Sequence, residues 1–399
     1  MRVMYVALLM ASLTAAMAAT ESSTVLDGFV ASARGSLLAL FGYPIPAEGK
    51  KLTRSPAKKS EIASAEVDER VKHAQELIDA RRVDDAIDVL LGVLERVPED
   101  KDGFLPNLLL GTALLTEKKL PAPATGFLYE AVHLSNWTDT VSIANLVAAL
   151  HLDNDTQLAE RVAMRGLDIG KAKNVSGSVF VLGQSVARLY ESKGDYATAA
   201  DWYLSSALEN PAESEDPWIG ASTMKFPPAH QKLDIAESVL LRAFPHHPNS
   251  PEILFLLGLA LHRLDRISQA LPIYRRALAL DSSRKDLTAM YATALHADGK
   301  FQDAVAVYTK ALELAANDNN PVLLANFAMC LCETSVGLYD QGRKLVQAAR
   351  AMKPSGNAAE DIEVASDMCH EGETVAKPVK GETVAEPATA QVTSTTKEL

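Results

Sequence analysis

The 399-residue sequence lacks the signatures of catalysis. It has no G-x-S-x-G nucleophile elbow, no P-loop, no H-E-x-x-H and no dinucleotide fingerprint. His151-Leu152-Asp153 has the H-x-D spacing used to hold iron, but it ends a helical pattern, whereas that chemistry needs a β-sandwich and a distant second histidine. Cysteine is scarce. Cys330, Cys332 and Cys369 do not make a disulfide framework or a zinc-ligand spacing. Cys330 and Cys332 stand two apart on one predicted helix, so their side chains diverge. The preferred reading is buried or unpaired thiols, with one pair involving Cys369 left open. No enzyme activity, cofactor or metal is expected.

Excess positive charge is also missing. The net charge is −12, which excludes a broad attraction to nucleic acid or anionic membrane. Nine acidic and three basic residues fall in the last 45 positions, so the middle is only mildly acidic. Beyond the N-terminus there is no apolar run long enough to span a membrane, so no integral span is expected in the mature chain.

The N-terminus is different. Arg2 precedes an apolar run, Val6 to Ala19, in which Ala16-Met17-Ala18 fits a cleavage pattern. Residues 1–19 therefore read as a secretory signal peptide. Residues 20–66 form a preamble with an amphipathic patch (Leu26 to Phe41) and a basic linker.

From 67 to 354 the sequence repeats itself. Residues 251–284 and 285–318 align without a gap at a spacing of 34. The first carries Leu254, Leu257, Gly258, Leu261, Ala270, Tyr274 and Ala277, and from Leu257 onward these positions recur in the second as Tyr291, Ala292, Leu295, Ala304, Tyr308 and Ala311. This pattern resembles the tetratricopeptide repeat family. The resemblance implies an all-α, right-handed superhelical solenoid of about eight helix-turn-helix units. The other units are weaker, at 67–100, 104–138, 140–173, 180–212, 217–250 and 319–354. In the second, Pro121 and Pro123 are expected to distort the turn between its helices. In the fifth, Pro227-Pro228 is expected to break the first helix near its end. A capping helix is expected in 355–371. Residues 372–399, with the duplicated GETVAKPVK and GETVAEPAT, read as a disordered acidic tail.

In this family the concave groove is lined by the first helix of each unit. For the two best units the resemblance places Glu252, Phe255, Leu259, His262, Arg263, Asp286, Met290, Thr293 and His296 in a peptide-binding groove, with Leu256 packed beneath. His151, His262 and His296 share unit position 12. They read as polar groove-wall residues rather than a metal ladder. Ala289 and Thr293 stand where cytosolic members carry a clamp for chaperone tails, and there is no J-domain H-P-D triplet. Three sequons, at Asn136, Asn154 and Asn174, fall in predicted turns behind the signal peptide and are candidate glycosylation sites. The ending Thr396-Lys397-Glu398-Leu399 is a degenerate match to an endoplasmic reticulum retention tail.

The sequence thus points to a non-catalytic scaffold of the secretory pathway, in the endoplasmic reticulum lumen or secreted, that binds protein or peptide segments. A co-chaperone-like client holder fits this reading. The alternatives are a non-catalytic subunit of a secretory-pathway enzyme complex and an exported bacterial scaffold.

Overall fold

A computed structural model describes residues 63–96, 103–314 and 320–375. The signal-peptide run, the preamble and linker up to residue 62, the tail from 376 and its Thr-Lys-Glu-Leu ending lie outside the described residues. The described residues form seventeen α-helices and two short 3-10 turns, without strands. The chain divides into two compact bodies, residues 1–260 and 261–399.

In the first body, α1 (Ser64–Asp79) pairs with α2 (Val83–Leu94), α3 (Phe104–Thr116) with α4 (Pro121–Leu134), and α5 (Thr140–Leu152) with α6 (Thr156–Ala172). Next come α7 (Ser178–Ser192) with α8 (Tyr196–Glu209), and a short α9 (Asp216–Ala221) with α10 (Leu233–Ala243). The helix α11 (Pro251–Arg263) runs from the first body into the second. The second body holds α12 (Ile267–Leu280), the pair α13 (Lys285–Ala297) and α14 (Phe301–Leu314), the pair α15 (Pro321–Thr334) and α16 (Tyr339–Ala351), and α17 (Asn357–Val375).

Six of the pairs are built from the same small-residue contact. Ala86, Ala159, Ala199, Ala236, Ala270 and Ala304 stand at unit position 20, and all are fully buried. Larger residues fill the turn after them, among them Leu90, Leu240, Tyr274 and Tyr308, each fully buried as well. A helix with one apolar stripe cannot dry that stripe alone, so within each body consecutive helices pack on one another, as α3 does on α4 and α13 on α14.

The turn inside six of the hairpins has a common geometry. Arg81, Lys119, Asn154, Gly194, Asp265 and Gly299 all have φ between 53° and 77°. The residue after each donates its N–H back to a carbonyl in the last turn of the first helix. Examples are Asp155 to Leu150 at 2.9 Å, Asp195 to Tyr190 at 3.0 Å and Lys300 to Leu295 at 2.9 Å. This left-handed cap satisfies carbonyls that the helix end leaves open. Gly194 and Gly299 enter it without a steric cost, while the other four carry a side chain there. Second helices begin cleanly where a carboxylate follows the turn: Asp155 accepts from Leu158 N–H at 3.1 Å and Asp195 from Thr198 N–H at 3.2 Å.

Three expectations are corrected. Pro121 and Pro123 do not distort the second unit; α4 starts at Pro121, where the missing N–H has no intrahelical partner to lose. In the fifth unit, α9 ends at Ala221, six residues before Pro227, so the proline pair is not what stops it. Thr223, at φ 58°, turns the chain first.

The third correction concerns the thiols. Cys332 on α15 and Cys369 on α17 form a disulfide, while Cys330 is buried and reduced. Both bonded cysteines are buried, and Gly342 of α16 lies against the two sulfurs, where a Cβ would not fit. Burial raises the Cys330 thiol to about 11, which makes it inert at neutral pH. The bond closes a loop of 37 residues around α16. Cys369→Ser is expected to cost about 4 kcal/mol on the loop-entropy estimate. It should be read by denaturant unfolding of the full chain and shown by alkylation under denaturing conditions. In the unaltered chain one thiol should react before reduction and three after; three before reduction would contradict the bond.

Candidate functional site

The residues expected to line a groove fall into both bodies and are placed body by body. In the first, Glu252 lies 3.9 Å from the Lys225 ammonium, Leu259 is half-buried, and Phe255 is 9 % exposed. Leu256 is 4 % exposed and belongs to the core. Phe255 is therefore held mostly by packing, and it offers only its edge to a ligand.

In the second body α13 carries four of the expected positions in one environment. The Asp286 carboxylate accepts from Arg284 Nε at 2.8 Å and Nη2 at 3.0 Å, and from the Leu287 N–H at 2.9 Å. Burial pushes this carboxyl up, but those hydrogen bonds outweigh it and hold it below its ordinary range. Met290 is half-buried. Thr293 donates to the Ala289 carbonyl at 3.0 Å and accepts from the Tyr308 hydroxyl at 3.1 Å. One turn on, His296 Nε2 meets Glu333 of α15 at 2.7 Å. Exposed Ala297 ends the row, and Arg263 at the end of α11 is also exposed.

His262 is half-buried, its ring edge-on to Tyr274 at 6.3 Å, and its Nδ1 is buried without a hydrogen-bond partner. His151 reaches Thr156 Oγ1 at 3.3 Å. Among the described residues no three His, Cys, Asp or Glu side chains gather as metal ligands.

Sequence reasoning missed the equivalent face of the irregular units. On α3 and α5, Leu105 is 47 % exposed and Val141 is 51 % exposed, both at unit position 2. Between these helices the Asn145 side-chain amide donates to Thr112 Oγ1 at 2.9 Å. Leu152, at the end of α5, is 60 % exposed. The register of unit positions would have found these residues had it been extended past the two regular repeats. Glu333 was hidden because its unit carries extra residues.

Asn136, Asn154 and Asn174 are all exposed, at φ 51°, 66° and 53°. Asn136 follows α4, Asn154 joins α5 to α6, and Asn174 follows α6. Each is the left-handed residue of a helix cap, as the bonds from Trp137 N–H to Val132 O and from Val175 N–H to Gly170 O show. Asn suits that backbone independently of any modification.

The geometry of His262 fixes a pH response. Burial first, and then the Arg263 charge, lower its pKa from 6.5, while Asp265 opposes them more weakly. The unfolded chain therefore binds the proton more readily than the fold does. Stability from the neutral ring is present above pH 6.5 and is lost as pH falls toward the lowered folded value. The melting temperature should drop between pH 7.5 and 5.5, and by less in His262→Gln; an equal drop in both would contradict this origin.

A sequence profile described as tetratricopeptide repeat matches residues 229–285 and 263–321. No curated protein matches the sequence. Among solved structures, the chain is similar to the C-terminal part of a TPR repeat-containing protein from Cytophaga hutchinsonii. The identity is 13 % and the TM-score 0.46, over 68 % of this chain and 100 % of that one. A tetratricopeptide repeat protein from Parabacteroides merdae is similar at 15 % identity and TM-score 0.41, over 67 % and 98 % of the two chains. YrrB, described as a TPR protein with an unusual peptide-binding site, is similar at 14 % identity and TM-score 0.37, over 49 % and 92 %. The profile match identifies residues 229–321 as tetratricopeptide repeats, and hairpins with buried alanines at the same unit position recur ahead of the matched residues.

Proposed function

We propose that this chain is a non-catalytic adaptor of the secretory pathway that binds polypeptide segments on the faces of its first helices. A protein-interaction scaffold is what tetratricopeptide repeats supply, and protein or peptide partners follow from the fold. No described helix is long and apolar enough to cross a membrane. The α13 face combines the apolar Met290 with Asp286, Thr293 and the His296–Glu333 pair, a mixture suited to an extended segment with both side-chain and main-chain contacts. The exposed apolar positions Leu105, Val141 and Leu152 give the first body a second such face.

The observation that carries the compartment is the Cys332–Cys369 disulfide. Such bonds persist in oxidising compartments and are rare in the cytosol. The signal-peptide pattern and three exposed sequons agree with it.

The test is expression of the full-length chain in eukaryotic cells followed by endoglycosidase H. A mobility shift is expected, and it should vanish in the combined Thr138→Ala, Thr156→Ala, Ser176→Ala variant. That variant removes the sequons while keeping the asparagines that the caps require. An unshifted band of full precursor mass would overturn the secretory reading.

A further inference from the structure

The fifth unit departs from the others. Its first helix, α9, has six residues where α11 and α13 have thirteen, so less helix lies between the second helices α8 and α10. The space left is a cavity of about 260 Å³. One wall is a face of α8, with Tyr196, Ala200, Asp201 and Leu204. The other is Lys232, Ile235 and Val239 at the start of α10, and the segment Ala221–His230 closes one end.

That closing segment is held in place. Thr223 adopts φ 58°, an unusual conformation for a β-branched residue, and its hydroxyl accepts from the Lys232 N–H at 3.3 Å. Gln231 Nε2 donates to the Met224 and Phe226 carbonyls at 3.1 and 2.8 Å. Tyr196 packs on Phe226 at 5.0 Å and on His230 at 4.6 Å between ring centres. The cavity is therefore preformed, and its shape does not depend on a ligand.

Four of its polar side chains make no hydrogen bond or ion pair. Among the described residues the Asp201 carboxylate and the Lys232 ammonium are in no ion pair, and neither the Tyr196 hydroxyl nor the His230 ring makes a hydrogen bond. The floor is aliphatic and alanine-lined, and opposite charges stand on opposite walls. The volume lies below the range of about 300–1,000 Å³ that holds a whole small ligand, yet it is ample for one large side chain.

We propose that this cleft is a second peptide-binding site, separate from the first-helix faces. It takes a single apolar side chain of an extended partner segment. A basic neighbour of that anchor meets Asp201 and an acidic neighbour meets Lys232. The anchor supplies most of the affinity, because exposed ion pairs add little, and the two charges set the direction of the chain.

The test is selection of a phage-displayed random decapeptide library on the full-length protein. Selected peptides are then measured against Ala200→Leu, which fills the cleft, and Ile235→Glu at a position already 40 % exposed. Enrichment of peptides with one apolar residue between opposite charges is expected. They should bind at least tenfold more weakly to both variants, and Asp201→Lys should reverse the preferred neighbouring charge. Peptides that bind Ile235→Glu and the unaltered protein equally would place recognition on the first-helix faces and overturn this site. No enrichment at all would overturn it too, while leaving the glycosylation test of the compartment unaffected.

Discussion

Two helices can approach closely only where neither side chain intervenes, and this constraint organises the chain. Fully buried alanines at one unit position, from Ala86 to Ala304, let each second helix lie against its first. The bulkier residues that follow, such as Leu90 and Tyr308, then fill the space between consecutive hairpins. Glycines serve the same close approach, Gly111 on a first helix and Gly342 on a second. Gly111 lies so close to Leu128 that an added Cβ would sit 2.6 Å from its Cγ, and Gly342 lies beside the disulfide. Burial is thus shared between neighbours, and no hairpin completes its own core.

Irregularity in such an array has local consequences. Where a first helix is short, as at α9, the neighbouring second helices border a cavity and a pinned loop replaces the missing turns. In the last unit extra residues shift α16, and α17 closes the core through Ile362, Ala365 and Cys369. The disulfide ties α17 to α15. The bond thereby adds a covalent tie between the last helices of the described residues.

The fold was readable because its determinants are periodic. Ala270, Tyr274 and Ala277 recur as Ala304, Tyr308 and Ala311, and all are fully buried. The left-handed turn was readable at Gly194, Gly299 and Asn154, whose residue types favour it; Arg81, Lys119 and Asp265 adopt it without a composition cue. Nothing local announces that Cys369 meets Cys332, because their approach depends on how α16 packs between them. The candidate faces were partly legible. Asp286, Thr293 and His296 share one helix as their spacing requires, but the partner Glu333 lies 37 residues from His296, beyond an irregular unit. The α8–α10 cleft has no sequence signature, since it arises from helix that is absent.

If neighbouring hairpins share their cores, stability is local and graded. Segment-resolved hydrogen exchange on the native full-length chain measures this directly. The account predicts the slowest exchange in α13 and α14, within the regular repeats, and faster exchange in α9 and the Thr223–Lys232 segment, where a full first helix is missing. Uniform protection across all helices, lost in a single concerted opening, would contradict it.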